Sequence, residues 1–324
     1  MWKCLNVFNL GNNNFIGSIP ASIESLISLS YLNLYNNKFS GKLPSPLKNF
    51  TYLVTIDVSK NEFVGSIPSW IGDRLPSLMI LSLHSNNFHG NILKELCALT
   101  SLQILNLSHK KLFGSIPRCV NNFSAMATNN ISNHNFLYES RGQFFSLIEY
   151  ESALLVVKGK VVEYSTILLL VKIVDLSNNN LSGEIPKEVT NLQGLQSLNL
   201  SFNILTGRIP ESIGAMGSLE SIDFSVNQLS GQVPQSMSRL TFLSQLNLSN
   251  NHLTGRIPLS TQLQSLTASS FVGNELCGPP LANNCTINYV KPNTINESSK
   301  DFGGLEVDWF YVSMALGFIF LAKY

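Results

Sequence analysis

The sequence predicts an α/β repeat solenoid, and three observations support that prediction. One pattern of sixteen positions occurs nine times along the chain. Successive copies lie 24 residues apart, or 25 in one case, with one larger gap. Each copy combines an alternating Leu-x-Leu segment with a glycine and, in eight copies, a proline. A unit this short cannot bury its own apolar face, so stacked coils must share one core.

The positions of the repeat have separate physical tasks. The copy from Leu29 to Pro44 has the skeleton LxxLxLxxNxLxGxIP. In Leu-x-Leu the side chains alternate, so both leucines point inward from a short strand. The asparagine amide can satisfy backbone groups where the chain leaves that strand. Glycine permits the tight bend that follows, and proline fixes φ where regular pairing ends.

Asparagine recurs at one position of the repeat, with a single exception. The nine residues are Asn13, Asn37, Asn61, Asn86, Lys110, Asn179, Asn203, Asn227 and Asn251. Lysine has three donors and no acceptor, so it cannot copy an amide that both donates and accepts. We therefore expect the Lys110 side chain to turn outward and leave the turn to water.

The Gly-x-Ile-Pro half of the repeat resembles the plant-specific class of leucine-rich repeats. That resemblance implies a plant-type superhelical arc with a concave parallel β-sheet. The predicted organisation has five repeats before an interruption and four after it, followed by terminal segments. The predicted boundaries are repeats in 1–120, an island in 121–170, repeats in 171–258, a C-terminal cap in 259–290, an acidic juxtamembrane stretch in 291–308 and a truncated transmembrane helix in 309–324.

The interruption separates Lys110 from Asn179 by 69 positions, which is 45 more than one period. A structureless loop of that length is uncommon unless it is functional. We interpret it as an island that folds back against the solenoid; one or two degenerate repeats are the alternative. An island followed by four regular repeats resembles the receptor-like proteins of plant immunity, of the Cf and xylanase-elicitor receptor type. Val157–Tyr164 is similar to the end of that family's island.

Both ends suggest the C-terminal portion of a longer protein. Met1–Cys4 leads directly into a repeat, without an apolar signal segment. Gly273–Cys285 resembles the family's C-terminal cap, and Trp309–Ala322 is almost wholly apolar. That run has 14 residues, whereas crossing a bilayer takes about 20. We expect a membrane helix cut short; a terminal helix that never spans is the alternative.

Cysteines and sequons indicate an oxidising, extracellular setting. Five cysteines fit two disulfides and one remaining thiol. Cys97 and Cys119 are 22 residues apart, close to one coil, and Cys277 with Cys285 would close a small loop; buried free thiols are the alternative. Three sequons arise from the repeat itself and carry little weight: Asn106, Asn199 and Asn247. The predicted glycosylation sites are Asn49, Asn122, Asn130, Asn180, Asn284 and Asn296.

A ligand is expected to contact the side chains that flank the inward leucines of each strand. Before the island these positions are diverse and include aromatic residues, which dominate recognition energetics. After it they are small and uniform, which suits a common partner; closeness to the repeat consensus is the alternative. The predicted ligand-binding residues are Asn9, Tyr31, Asn33, Tyr35, Thr55, Asp57, Ile80, Ser82 and His84. The predicted partner-binding residues are Lys158, Glu163, Tyr164, Asp175, Ser177, Ser201, Ser225 and Ser249.

Composition and motifs favour recognition over chemistry. A net charge of +1 does not provide the basic surface that nucleic acid requires. The sequence contains no nucleophile elbow, phosphate-binding loop, kinase signature or zinc spacing, so we predict no enzyme activity, cofactor or metal. The resemblance implies the ligand-binding ectodomain of a single-pass plant plasma-membrane receptor-like protein. Its implied partners are a peptide or protein elicitor, co-receptor kinases, and the membrane through the C-terminal helix. A secreted inhibitor of cell-wall-degrading enzymes and a receptor-kinase ectodomain are the alternatives.

Overall fold

The Leu-x-Leu segments form the parallel sheet that the repeat predicts. The computed structural model describes residues 4–128, 153–157, 160–164 and 171–285, all within one compact unit, Met1–Cys285. Equivalent residues of successive coils pair in register, as Phe8, Leu32 and Ile56 do. The nine strands are Val7–Asn9, Tyr31–Asn33, Thr55–Asp57, Ile80–Ser82, Ile104–Asn106, Ile173–Asp175, Ser197–Asn199, Ser221–Asp223 and Gln245–Asn247. The predicted solenoid with a concave parallel sheet is confirmed.

The segments around each repeat glycine form further parallel strands on the other side of the coils. Seven of them make a second sheet: Ile16–Gly17, Lys38–Gly41, Glu62–Ser66, Asn87–Asn91, Lys111–Gly114, Asn180–Glu184 and Ile204–Thr206. Three more make a smaller sheet at the C-terminal end: Ser230–Gln232, His252–Arg256 and Glu275–Cys277. The glycines there need positive φ, and they leave room for a neighbour. At Gly207 (φ 74°) an added Cβ would lie 2.8 Å from Cγ of Glu184 in the preceding coil.

Short helices return the chain from the second sheet to the first. Most begin directly after the repeat proline, whose fixed φ suits a helix start. The 3₁₀ helices are Ala21–Ser25, Ser45–Asn49, Lys94–Ala98, Arg118–Asn122, Lys187–Asn191, Glu211–Ala215, Gln235–Arg239 and Ala268–Ser270. The α-helices are Trp70–Arg74, Ser124–Ala127 and Thr261–Ser265. Within the residues described above, none has the length and apolar character needed to span a membrane.

The core is one continuous stack of rows, each with one residue per coil. Phe15, Phe39, Phe63 and Phe88 form such a row, with ring centroids 5.9 to 6.3 Å apart. The asparagines form another row at the edge of the core. The Asn61 amide donates to the carbonyls of Leu34, Val58 and Ser59, and its Oδ1 accepts the Phe39 N–H at 2.9 Å. Each asparagine therefore forms hydrogen bonds with backbone groups of two successive coils, as its chemistry predicts.

Lys110 does not turn outward, so that expectation is wrong. The side chain is only 7% exposed, its Nζ donates to the Leu83 carbonyl, and it lies 4.8 Å from the Phe88 ring centroid. Burial holds the pKa of Lys110 well below its usual value. The long apolar stem favours this position, because it packs along the core while the amine reaches a carbonyl that asparagine otherwise binds.

The sheet continues across the interruption without a gap. Ile104 pairs directly with Ile173, although they are separated by the whole insertion. The fifth coil also extends past residue 120: Met126 is fully buried, and its carbonyl accepts the Gly194 N–H at 2.9 Å. We therefore place the start of the insertion after Ala127 rather than at residue 121. Within the insertion, Ala153–Val157 and Lys160–Tyr164 form an antiparallel hairpin.

The cap continues the repeat further than the sequence pattern indicates. Asn274 takes the next place in the asparagine row: its amide donates to the Leu248 carbonyl, and its Oδ1 accepts the Leu253 N–H. This tenth member of the row was missed because the residues around it do not follow the repeat skeleton. The structure joins Cys277 to Cys285 in the cap. It also joins Cys97 to Cys119, which connects the fourth and fifth coils just before the insertion.

One packing defect lies where the fifth and sixth coils meet. An apolar cavity of about 30 Å³ is lined there by Val120, Val174 and Val189 among other core residues. Each valine occupies a row whose other members are mainly larger, as Leu105 and Leu198 are beside Val174. Three shortened side chains on one junction account for the space.

Candidate recognition surface on the concave sheet

The predicted ligand-binding residues do lie on one face of the nine-stranded sheet, flanking the buried leucines. Their accessibility differs strongly, because neighbouring strands shield one another's side chains. Asn9 is exposed; Tyr35, Asp57 and His84 are half-buried; Tyr31, Asn33, Thr55, Ile80 and Ser82 are buried. Among these predicted residues, the accessible ones are therefore Asn9, Tyr35, Asp57 and His84.

Hydrogen bonds inside the sheet occupy most of its polar side chains. In eight coils an Asn or Asp at the end of the strand accepts the N–H two residues later, as Asn199 does from Ser201 at 3.1 Å. The serine hydroxyl often donates to the same oxygen, at 2.8 Å for Ser201. The fourth coil differs, because it has Ser82 and His84 at these two positions.

The same bonding involves the predicted partner-binding residues of the later coils. Asp175, Ser177, Ser201, Ser225 and Ser249 are brought into line along the sheet, but all five are buried. Asp175 accepts the Ser177 N–H at 3.0 Å. Their uniformity has a structural cause, since each serine is paired with the preceding Asn or Asp. Glu163 and Tyr164 lie on the second strand of the insertion's hairpin, and Lys158 lies outside the described residues.

A more accessible row adjoins the sheet and was missed by sequence reasoning. It consists of the residue before each position of the asparagine row, and all nine have φ between 49° and 58°. They are Asn12, Asn36, Lys60, Ser85, His109, Asn178, Phe202, Val226 and Asn250. Seven are exposed, and Ser85 and Val226 are half-buried. We call these nine residues the rim row; the signal that could have found them is their fixed place beside the repeat asparagine.

Burial shifts the protonation of several groups on the sheet. Desolvation raises the pKa of Asp57 and of Asp175, partly offset by hydrogen bonds from Ser59 and Ser177. Desolvation lowers the pKa of His84 to about 4, and the charges of Lys110, Lys60 and His109 lower it further. Among residues 4–128 and 171–285, no group of three or more His, Cys, Asp or Glu side chains could hold a metal ion.

The sequons separate into two structural classes. Asn49, Asn122, Asn180 and Asn284 are exposed and lie away from the concave sheet, on short helices, the second sheet and the cap. Asn106 is instead buried, and its Oδ1 accepts both the N–H and the hydroxyl of Ser108. Asn130 and Asn296 lie outside the described residues, as does Trp309–Ala322.

Comparison with known proteins agrees with the repeat geometry. Leucine-rich-repeat family models match residues 4–26, 28–50, 171–192 and 193–253. Over 212 residues the chain is 58% identical to receptor-like protein EIX2 of Solanum lycopersicum, which covers 62% of this chain and 20% of that protein. The chain contains leucine-rich repeats and is similar to plant receptor-like proteins. It spans about a fifth of the length of the curated relatives it matches.

Solved receptor ectodomains share this architecture. One is the ectodomain of the Arabidopsis thaliana membrane receptor kinase GASSHO1/SCHENGEN3 in complex with CASPARIAN STRIP INTEGRITY FACTOR 2 (TM-score 0.67, 31% identity, 87% of this chain and 31% of that one). Another is the Arabidopsis receptor kinase HAESA with the peptide hormone IDA and the co-receptor SERK1 (TM-score 0.59, 33% identity, 85% of this chain and 42% of that one). Both similarities extend over most of the receptor-like chain described here.

Proposed function

We propose that this chain is the ligand-recognition part of a plant cell-surface receptor-like protein that binds a peptide or protein. The observation that carries the proposal is the continuous sheet of nine strands, with a rim row that differs in side chain from coil to coil. Such a surface suits an extended partner that contacts several coils at once. Support also comes from HAESA, which was solved with a peptide hormone and a co-receptor.

We propose that a receptor kinase completes the signalling unit and contacts the later coils. The five buried Asp and Ser residues of the sheet are poor contacts, because their polar atoms already have partners. The rim residues of the same coils are a better surface. Phe202 is 56% exposed, and Val226 lies beside it in the next coil. Aromatic and apolar side chains of this kind form the centres of protein interfaces.

The ligand proposal is tested by a binding screen of the secreted chain against synthetic plant and microbial peptides. For a peptide that binds, we expect Tyr35→Ala and His84→Ala each to weaken affinity at least tenfold, about 1.4 kcal/mol. Phe113→Ala is the matched control, because Phe113 is 49% exposed on the second sheet. Binding that is lost in the Phe113 variant and retained in the Tyr35 and His84 variants would contradict the proposal.

We place the intact parent at the plasma membrane, with this chain outside the cell. Two disulfides and four exposed sequons support an extracellular location. Glycopeptide mapping after expression in plant leaves provides the test. We expect glycans on Asn49, Asn122, Asn180 and Asn284, and none on the buried Asn106. An unmodified chain recovered from that tissue would contradict the extracellular assignment.

A further inference from the structure

Three basic side chains from three consecutive coils lie side by side next to the concave sheet. Lys60 and His109 belong to the rim row and are exposed, and half-buried His84 lies between them, two residues after the strand Ile80–Ser82. The Lys60 N–H donates to the His84 carbonyl at 2.9 Å, so these two residues are immediate neighbours. The Ser85 N–H donates to the Ser108 carbonyl, which places His109 next along the row.

The contacts of these three side chains are with neutral groups. The Lys60 ammonium lies 5.3 Å from the centre of the Tyr35 ring. Nδ1 of His84 lies 3.0 Å from the Ser85 hydroxyl, and Nδ1 of His109 lies 2.6 Å from the Asn178 amide nitrogen. Among the described residues, the contacts of Lys60 and His84 are thus with neutral groups, whereas the charge of His109 also acts on the Asp175 carboxylate.

The two nearby carboxylates accept hydrogen bonds from serines of their own coils. Asp57 accepts the N–H and hydroxyl of Ser59, and Asp175 accepts the N–H of Ser177. Behind His84, the amine of Lys110 is buried and donates to a backbone carbonyl. The groups facing His84 are therefore Lys60 on one side and Lys110 with His109 on the other, and all three disfavour its protonation. An anion placed between them would reverse that effect.

We propose that Lys60, His84 and His109 form a subsite that binds an oxyanion, a carboxylate or sulfate group, on the ligand. The subsite would be part of the proposed ligand-binding surface. The proposal rests on that function only in assuming that the anion belongs to the ligand. The position suits such a role: burial desolvates His84, Lys60 and His109 are open to solvent, and the fourth coil lacks the Asn or Asp that ends the strand in the other eight. A charge-assisted contact of this kind fixes orientation as well as adding affinity.

The subsite predicts that anion binding and proton binding are coupled. An anion beside His84 favours the imidazolium form, so the bound anion raises the pKa of that residue from about 4. By linkage, protonation strengthens anion binding by the same factor. Affinity for an anionic ligand is therefore expected to increase as the pH falls toward the His84 titration.

The test uses the secreted chain with ¹³C-labelled histidine and follows the imidazole signals by NMR between pH 3.5 and 7. The probes are sodium acetate and sodium sulfate at equal ionic strength, with acetamide as the uncharged comparison. We expect at least one anion to raise the titration midpoint of His84 by about half a pH unit, which is about threefold in proton affinity. The two anions distinguish a carboxylate-selective from a sulfate-selective subsite.

Several controls are built into the chain. His89 and His252 are exposed on strands outside the concave sheet, so their midpoints should not follow the anion. Lys60→Met should reduce the His84 response to less than half, whereas Lys38→Met, at an exposed lysine of the second sheet, should leave it unchanged. A His84 midpoint that moves no more than that of His252 would overturn the proposal. That result would leave the peptide screen standing, because the screen tests the whole concave face.

Discussion

Lys110→Asn is expected to stabilise the chain, because it restores the missing member of the asparagine row. At eight equivalent positions, from Asn37 to Asn274, Oδ1 accepts an N–H of the preceding coil. The corresponding donor opposite Lys110 is the Phe88 N–H, which a protonated ammonium group cannot accept because it has no lone pair. One restored buried hydrogen bond contributes about 1 kcal/mol, and removing an unsatisfied donor increases that figure. Lysine has three more methylenes than asparagine, and losing them costs about 0.8 kcal/mol each. We expect a net gain of about 1 kcal/mol, because the substitution also removes the cost of burying the amine.

Protonation gives this prediction a second, independent signature. Burial lowers the pKa of Lys110 in the folded chain, whereas the unfolded chain keeps the ordinary value of 10.5. Between the two values the unfolded state binds more protons, so the stability of the original chain rises with pH there by up to about 1.4 kcal/mol per pH unit. The asparagine variant lacks that slope. Its advantage should therefore shrink as the pH rises toward 10.5.

Urea unfolding followed by circular dichroism at several pH values measures both signatures. Lys111→Asn is the matched control, because the neighbouring Lys111 is exposed. Lys110→Met separates the causes, since it removes the amine and keeps an apolar stem without restoring the acceptor. Equal stabilisation by Met and Asn would show that desolvation of the amine, not the hydrogen bond, is responsible. A Lys110→Asn chain that is no more stable than the original, or whose advantage is independent of pH, would refute the reasoning.

Three further substitutions test other parts of the same framework by urea unfolding. Val226→Asn should stabilise by about 1 kcal/mol, because a β-branched residue is strained at φ 54°; Val272→Asn, at an exposed site without positive φ, should not. Val174→Ile should gain about 0.8 kcal/mol by placing one methylene in the core cavity, and a loss would mean that the cavity cannot accept it. His84→Gln should make the stability of the chain depend less on pH. The pKa of His84 is lowered to about 4, so the original chain loses stability as the pH falls from 6.5 toward that value. Parallel curves of stability against pH for the two chains would contradict this.

Periodicity predicts most of the fold because each repeated residue type has one structural task. The inward leucines, the asparagine row and the glycine bends follow directly from spacing and chemistry, and the structure has all three. Lys110 was mispredicted because charge was weighed above the apolar stem that packs beside Phe88. Asn274 was missed because the cap retains the hydrogen bonds of the repeat without retaining its sequence.

The candidate site was only partly predictable, for a physical reason. Strand pattern identifies which side chains face outward, but it does not show which of them are already bonded. Asp175 and Ser201 face the predicted way, and yet their polar atoms are used within their own coils. The alternation of inward and outward side chains therefore identified the correct face of the sheet. It did not predict which residues on that face are accessible, because accessibility also depends on the neighbouring strands.

Two adjacent rows of the solenoid have opposite constraints, and this difference explains where recognition can vary. At the ends of the strands, eight of nine positions are Asn or Asp, because their side chains hold the backbone two residues later. In the rim row the stabilising hydrogen bond is made by the backbone itself. The Asn36 N–H donates to the Ser59 carbonyl, and this bond does not depend on which side chain residue 36 carries. That row accordingly holds six residue types, even Val226 in a conformation that valine disfavours. A position with a fixed backbone and a free side chain can change its binding specificity without altering the hydrogen bonds that maintain the coil.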